Sequence, residues 1–311
     1  MDFWNMTIKI IFLSQITTGL LINFYLLIYY LVYYREHKLR PTDLILMHLM
    51  AANALIVLST GVPYTTAAFG LKEFFKDFGC RLILYIQRVG RSVSFGTTFL
   101  LNVFQAITIS HRESCCKDQN GKAAKYIGCS ICLLWVFYMF MHFIFFVDIF
   151  AKRNSNNVTR NIDYKYCIIV SHDDINESLY AALVICPEVL YSVLIGWSSG
   201  SMVVILYRHK QRVKHIHSSH VSSRNSPESR ATKNILALVS SFLCFNTVSS
   251  ILNVCNAFVH HHSLWLTNIT HFTCLCFPSF GPFILMNHYS VMPRLSLVLI
   301  MKKNPNCILN I

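Results

Sequence analysis

Residues 79–112 decide the fold, and their sequence is GCRLILYIQRVGRSVSFGTTFLLNVFQAITISHR. The stretch is long and apolar enough to cross a bilayer, because about 20 helical residues suffice. Yet it carries Arg81, Arg88 and Arg91 in its first half. Since a charge at membrane depth costs at least about 2.5–3.5 kcal/mol, the helix must turn its arginines towards a partner or water. The stretch therefore predicts the central helix of a polytopic bundle.

The composition of the whole chain is that of a membrane protein. Hydrophobic residues make up 54% of the 311 residues, charged residues only 13%, and the formal net charge is +13. A basic protein is a candidate for nucleic-acid binding. Here, however, the lysines and arginines lie in the gaps between apolar runs, as in loops retained on the cytoplasmic side. We therefore expect membrane lipids as partners and no nucleic acid.

The uncharged runs predict an all-α membrane protein, a seven-transmembrane helix bundle in one domain, residues 1–311. The last run, residues 234–293, is too long for one helix, and the three histidines at 260–262 mark a turn within it. Consecutive histidines on one short loop cannot converge on a metal ion, so we predict a solvated loop and no metal site. The predicted spans are approximately 10–34, 44–69, 80–110, 126–147, 178–207, 234–259 and 268–288.

The distribution of lysine and arginine predicts the orientation. Loops on one side, with the C-terminal tail, contain seventeen of these residues, and loops on the other side, with the N-terminus, contain seven. The first side is predicted to be cytoplasmic, which places the N-terminus outside and the C-terminus inside a multi-pass plasma-membrane protein. Four glycosylation sequons fall on the predicted outer side: Asn5, Asn157, Asn176 and Asn268. We expect Asn157, in the middle of a loop, and Asn5 to be glycosylated.

Two of the twelve cysteines, Cys80 and Cys167, are predicted to lie at or beyond the outer face of the membrane. The others fall within spans, where they act as small hydrophobic residues, or on the reducing side as free thiols. One disulfide, Cys80–Cys167, is therefore predicted to join the second outer loop to the start of the third span. Two unpaired outer thiols are the alternative.

Buried charges are the strongest local signal. Arg88 lies about 12 Å along the helix from Cys80, and Glu188 is the only acidic residue inside a predicted span. One interpretation is a polar cluster at the floor of an outward-facing cavity, where it contacts acceptor groups of a ligand. The other is an internal pair, Arg88–Glu188 or Arg91–Glu188, that only holds helices together. The sequence leaves both interpretations open, and both can be true.

Motifs of enzyme chemistry are absent from the sequence. The HExxH, G-x-S-x-G and P-loop patterns do not occur, and adjacent acidic residues are confined to positions 173–174 in a predicted outer loop. A transporter would usually add discontinuous helices and internal pseudo-repeats, and neither is visible. We therefore predict that the chain is not an enzyme and has no cofactor.

Five segments are similar to segments of one known receptor family. They are LRPTDLILMHLMAANAL (39–55), AAFGLKEFFKDFGC (67–80), RVGRSVSFGTTFLLNVFQAITIS (88–110), SPESRATKNILALVS (226–240) and FGPFILMN (280–287). The chain thus resembles the vomeronasal type-1 receptors, nearly end to end. The resemblance implies a rhodopsin-like receptor of vomeronasal sensory neurons that detects small pheromone-type cues and activates Gi/o-type heterotrimers. It also implies the Cys80–Cys167 disulfide and glycosylation at Asn157.

Familiar activation motifs of rhodopsin-like receptors are missing. The segment FQA (104–106) stands near the place of the Asp-Arg-Tyr triplet, and PFIL (282–285) replaces Asn-Pro-x-x-Tyr. The usual ionic-lock account of activation therefore cannot be carried over. Gln87 stands where the resembled family frequently has His, which predicts an altered ligand preference.

We predict a chemosensory receptor whose ligand binds between the outer halves of spans three, five, six and seven. Depth and polarity select six candidate pocket residues: Tyr85, Arg88, Arg91, Glu188, Asn256 and His271. Basic residues predicted to face the G protein are Arg112, Arg208, Lys210, Arg212 and Lys214. A seven-helix receptor for another ligand class, such as a bitter tastant or a lipid, is an alternative, and a transporter is a third.

Overall fold

The chain forms a bundle of long helices, seen in a computed structural model. The structure describes residues 2–36, 40–68, 77–110, 120–152, 160–164, 167–171, 186, 188–205, 207–208, 227–258 and 264–289. Within these residues there are seven helices: α1 (Asp2–Glu36), α2 (Pro41–Ala68), α3 (Asp77–Ser110), α4 (Asn120–Lys152), α5 (Glu188–Ile205), α6 (Pro227–Phe258) and α7 (Leu264–Tyr289). Each predicted span overlaps one of them.

Apolarity and length identify part of the predicted membrane topology. Four helical segments of the described chain are long and apolar enough to cross a membrane: Met6–Val32, Pro41–Thr66, Lys125–Phe143 and Glu188–Ile205. A further segment, Leu236–Leu252 in α6, is apolar but shorter. The crossing of the membrane by all seven helices and the orientation of the termini therefore stay predictions.

A β-hairpin lies in the chain between α4 and α5. Strand β1 (Arg160–Tyr164) pairs antiparallel with β2 (Cys167–Ser171), with Tyr164 opposite Cys167. The prediction of an all-helical chain is correct for the bundle but missed this hairpin. A signal was present in the sequence, because residues 168–170 are Ile, Ile and Val, and β-branched residues favour strands.

The direction of α3 follows from its contacts with α2 and α4. Gln87 Nε2 donates a hydrogen bond to Thr60 Oγ1 at 3.0 Å, and further along α3, Ser94 Oγ donates to Asn53 Oδ1 at 3.2 Å. Residue numbers thus rise in α3 as they fall in α2, so the two helices are antiparallel.

α4 is also antiparallel to α3, because Ser92 lies against His142 whereas Gly96, further along α3, lies against the earlier residue Leu134. The end of the bundle where α4 ends and α3 and α5 begin is called the hairpin end below.

α1 and α7 run parallel to each other. Gln15 Nε2 donates to the carbonyl of Phe272 at 3.3 Å, and Asn23 Nδ2 donates to that of Pro278 at 2.7 Å. Partner numbers rise together along both helices. Because α1 is also antiparallel to α2, α1 begins at the hairpin end and α7 ends at the opposite end of the bundle.

The hydrophobic core of the bundle includes aromatic contacts that join α3 to α6 and α7. The ring of Phe95 meets Phe242 of α6 edge to face at 4.8 Å, and Phe242 meets Phe277 of α7 in the same way at 4.7 Å. Such aromatic pairs add about 0.5–1.5 kcal/mol to their area burial. Further along α3, Asn102 Nδ2 donates to the Ile195 carbonyl of α5 at 2.9 Å. α3 therefore occupies the central position that residues 79–112 predict.

Candidate functional site

Arg91 of α3 forms a two-point ion pair with Glu188 in the first turn of α5. Nε donates to Oε1 at 2.8 Å, and Nη2 donates to Oε2 at 3.2 Å. The side chains are only 15% and 13% exposed. A bidentate pair of this kind supplies orientation as well as energy. Of the two internal pairs that the sequence leaves open, Arg91–Glu188 is present.

The remaining N–H groups of Arg91 are paired as well. Nη1 donates to Ser249 Oγ at 3.2 Å and to Cys274 Sγ at 3.7 Å, while Nη2 also donates to Ser250 Oγ at 2.9 Å. A guanidinium carries five N–H donors, and here each of them has an acceptor. Arg91 therefore joins α3 to α5, α6 and α7 at one point. We call Arg91, Glu188, Ser249, Ser250 and Cys274 the Arg91 cluster.

The Arg91 cluster is closed on the acceptor side too. Ser250 Oγ donates to Glu188 Oε2 at 3.3 Å, so this hydroxyl bridges both charges. The guanidinium carbon also lies 5.8 Å from the ring centroid of Phe95, one helical turn further along α3, within cation–π distance. A buried pair is tolerated only when its geometry is good and its other hydrogen-bonding atoms are satisfied. Both conditions are met at this site.

The acceptors of the guanidinium come from separate helices. Glu188 lies on α5, directly after Pro187, which is outside the described residues. On α6, the two consecutive hydroxyls of Ser249 and Ser250 reach different nitrogens of the same guanidinium.

Tyr85, one of the predicted pocket residues, turns towards α4 instead of the Arg91 cluster. Its hydroxyl donates to the Met139 carbonyl of α4 at 3.0 Å. Arg88 is half-buried, one turn before Arg91 on α3. The two arginines are three residues apart and share a helical face, and Arg91 is the one that pairs with Glu188.

The last two predicted pocket residues lie on α6 and α7. His271 is half-buried, one turn before Cys274 on α7, which places it nearer the hairpin end than the Arg91 cluster. Asn256 is in α6, and its side chain lies outside the described part of the structure. The structure thus brings Arg91 and Glu188 into contact, whereas contact of these two residues with a ligand stays a prediction.

A second polar group lies between α3, α4 and α5, and the sequence analysis missed it. His142 Nε2 lies 2.9 Å from Ser92 Oγ. The His142 ring is stacked with that of Tyr138, at 6.3 Å between centroids and 20° between planes, and Tyr191 of α5 packs against the hydrophobic cluster that contains Tyr138. We call Ser92, Tyr138, His142 and Tyr191 the α4 cluster. The spacing of Tyr138 and His142 by one helical turn in an otherwise apolar span was the available signal.

The predicted disulfide and the two predicted glycosylation sites involve side chains outside the described part of the structure. Cys80 lies in α3 and Cys167 begins β2, but their side chains are outside the described residues. Asn157 is itself outside them, and Asn5 lies in α1 without a described side chain. The disulfide and both glycosylation sites therefore stay predictions.

The residues predicted to face the G protein are described only at one position. Arg208 is helical and exposed, just beyond the end of α5. The other four predicted residues lie outside the described residues: Arg112, Lys210, Arg212 and Lys214. The predicted histidine turn at 260–262 also lies outside them.

Comparison with known proteins identifies the family. The profile of the vomeronasal organ pheromone receptor family matches residues 6–297. The chain is 45% identical to vomeronasal type-1 receptor 4 of Homo sapiens over 276 residues, 88% of this chain and 92% of that one. It is 42% identical to human vomeronasal type-1 receptor 3 over 293 residues, 94% of both chains. It is also 33% identical to vomeronasal type-1 receptor 90 of Rattus norvegicus over 259 residues, 82% of this chain and 83% of the relative.

These matches cover nearly all of the described helices, including the Arg91 and α4 clusters. The matched proteins are membrane receptors and not enzymes, which agrees with the absence of enzyme motifs from the sequence. The chain therefore belongs to the vomeronasal type-1 receptor family.

Proposed function

We propose that this chain is a plasma-membrane chemosensory receptor that binds small pheromone-type molecules within its helix bundle and activates a Gi/o-type heterotrimeric G protein. Membership of the vomeronasal receptor family supports the receptor class and, in general terms, a ligand and a G protein as partners. The observation that carries the location of the site is the Arg91 cluster, a charged pair enclosed where α3, α5, α6 and α7 meet.

The Arg91 cluster supports a mechanism in which a ligand replaces one of the hydrogen-bond acceptors of Arg91. Every N–H of Arg91 already has an acceptor. A ligand oxygen can therefore accept a hydrogen bond from Arg91 only if it displaces one of those acceptors. The serine hydroxyls of α6 and the thiol of Cys274 on α7 are the weaker partners, since neutral acceptors bind a guanidinium less strongly than a carboxylate does. A ligand that replaces Ser249 or Ser250 would separate α6 from α3 while the pair with Glu188 stays closed.

Loss of the α6 contacts would favour a state in which the opposite end of the bundle is open. This is a population shift, and its size is bounded by the ligand's difference in affinity for the two states. The end opposite the hairpin carries the basic loops of the sequence and the exposed Arg208. We assign G-protein contact to that end of the bundle. In this proposal the N-terminus lies outside the cell, and the chain crosses the membrane seven times.

The receptor function is tested by expressing the chain in cells that contain a Gi/o-type G protein. Surface-labelled cells are exposed to a panel of small volatile and steroidal molecules while cyclic AMP and calcium are recorded. We expect responses to some of these compounds, and we expect pertussis toxin to remove them. Responses only to lipids or bitter compounds would favour the alternative receptor class, and solute flux without a G protein would favour a transporter.

The site is tested with Arg88→Ala, because Arg88 lies one turn nearer the hairpin end than the Arg91 cluster. We expect the ligand response to be abolished while surface expression persists. Lys9→Ala is the matched control, since it removes one positive charge from an exposed position on α1 and should leave the ligand response unchanged. Loss of surface expression in Arg88→Ala alone would indicate that this arginine only holds helices together.

A further inference from the structure

Within the described part of the chain, only one of the two ring nitrogens of His142, on α4, takes part in a hydrogen bond between helices. The residue is 6% exposed, and its Nε2 is paired with Ser92 Oγ at 2.9 Å. Its Nδ1 is buried and has no hydrogen-bond partner among the residues that the structure describes. Buried polar atoms in proteins are nearly always hydrogen-bonded, so such an atom calls for an explanation. One nitrogen suffices to join α4 to α3, and the other is left for a different partner.

The surroundings of Nδ1 select a neutral partner. His142 is buried, and a buried charge without an ionic partner is costly, so this site favours the neutral imidazole, in which each nitrogen is either a donor or an acceptor. The ring is stacked with Tyr138, which adds aromatic surface beside it. A hydroxyl or carbonyl oxygen on an apolar body matches both features, because it makes one hydrogen bond and leaves apolar contact area.

The α4 cluster is also connected to the Arg91 cluster. Tyr191 of α5 packs against the hydrophobic cluster that contains Tyr138, and Glu188 lies one turn before Tyr191 on the same helix. A contact made at His142 is therefore two side chains away from the ion pair. This places both clusters around one region between α3 and α5.

We propose that Nδ1 of His142 hydrogen-bonds a neutral oxygen of the ligand, an alcohol or ketone function, and that α4 thereby determines specificity. The inference rests on the proposed function, because it assumes that a small molecule enters the bundle. It adds a contact on α4 to a site that the sequence analysis limited to spans three, five, six and seven.

Two amide substitutions separate the two ring nitrogens. The amide of His142→Gln reaches the position of Nε2 and can keep the contact with Ser92, but it offers nothing at Nδ1. The shorter amide of His142→Asn occupies the position of Nδ1 and loses the contact with Ser92. A residue that only joins helices tolerates Gln better than Asn, whereas a residue that contacts the ligand through Nδ1 tolerates Asn better than Gln.

The probes are alkan-2-ols and alkan-2-ones of increasing chain length, with carboxylic acids of equal length, applied to surface-labelled cells. We expect the wild-type receptor to answer an alcohol or ketone, and His142→Gln to raise its half-effective concentration about tenfold or more, which equals about 1.4 kcal/mol. Normal surface expression of His142→Gln and a smaller shift in His142→Asn complete the expected pattern. A shift below about twofold in His142→Gln would overturn the inference.

A second measurement does not depend on the folding of a variant. In wild-type receptor labelled with ¹⁵N-histidine, the His142 Nδ1 signal should move when the active alcohol or ketone is added. An unmoved signal at saturating ligand contradicts the inference. A wild-type receptor that answers only carboxylic acids also contradicts it and leaves the proposed function intact, whereas a wild-type receptor silent to every organic compound overturns both.

Discussion

α3 and α4 are of nearly equal length, 34 and 33 residues, but they use their side chains in opposite ways. α3 is rich in polar residues and most of them are buried: Ser92, Ser94, Thr97, Thr98, Asn102 and Gln105. α4 is apolar over Lys125–Phe143 and exposes large hydrophobic side chains along its outer face: Leu133, Val136, Phe137, Phe140 and Phe143. The more hydrophobic helix is therefore the more exposed one.

This inversion follows from the solvent. In a bilayer the lipid tails are as apolar as leucine, so burial of apolar surface does not drive helices together. Polar groups must instead find partners inside the bundle, because the cost of exposing them to lipid is high. Thr97 illustrates the point, since its hydroxyl donates to the Val93 carbonyl of its own helix at 2.7 Å. Apolarity in this chain indicates which face meets lipid, and polarity indicates the interior.

The largest effect is expected where a charge on α3 is removed. Arg91→Met leaves Glu188 buried and unpaired, which costs about 3–5 kcal/mol. We expect most of the receptor to be retained inside the cell, measured by surface labelling and by the thermal inactivation of detergent-solubilised receptor. The matched control is the double variant Arg91→Met/Glu188→Met, which should recover most of the stability because no unpaired charge remains. Equal loss in the single and double variants would contradict this account.

A phenylalanine on each helix tests the inversion with identical chemistry. Phe95 of α3 is 1% exposed, whereas Phe140 of α4 is 63% exposed. Phe95→Ala should cost about 3–5 kcal/mol, since it leaves a cavity against Phe242. Phe140→Ala should change stability by no more than about 0.5 kcal/mol. Thermal inactivation of the two solubilised variants measures the difference, and similar inactivation temperatures would show that the outer face of α4 is covered by protein.

A charge introduced on α4 measures how lipid-like its surroundings are. Leu133 is 64% exposed and lies near the middle of the apolar segment Lys125–Phe143. Leu133→Arg should cost about 2.5–3.5 kcal/mol, because the acceptors that pair with Arg91 lie on α5, α6 and α7 in the interior and not at this exposed face of α4. Surface expression should fall, with Leu133→Ala as the control that keeps it. Full expression of Leu133→Arg would mean that this face meets water.

The smallest effect concerns glycines at the contacts of the two helices. A Cβ at Gly96 of α3 would lie 2.3 Å from Cδ1 of Leu134, whereas one at Gly128 of α4 would lie 3.7 Å from Leu44 Cδ2. Gly96→Ala forces the leucine to move and should cost about 1–3 kcal/mol. Gly128→Ala meets only ordinary contact and should gain up to about 1 kcal/mol in helix propensity. A gain from both substitutions, measured by thermal inactivation, would show that Leu134 repacks without strain.

Much of the helical architecture could be read from the sequence. Uncharged runs mark the apolar parts of the helices, and charged segments separate most of them. Pro227 begins α6, as expected of a residue favoured in the first helical turn. The hairpin at residues 160–171 was missed because its strands are short and lie in a polar loop. In the site, Arg91 and Glu188 were selected from the sequence, whereas His142 was not. A lone histidine in an apolar span has no sequence feature that shows whether both of its nitrogens are paired.

The sequence by itself determined that arginines of α3 must face the interior and that Glu188 was their one acidic partner within the spans. Only the tertiary structure decided which arginine takes that partner. Arg88 and Arg91 share a helical face and have equally long side chains, so their local chemistry is the same. The difference comes from the height of Glu188 on α5 relative to α3, and from the two serines of α6 and the cysteine of α7 that complete the guanidinium's acceptors. Those positions depend on how four helices are packed, which no single segment encodes.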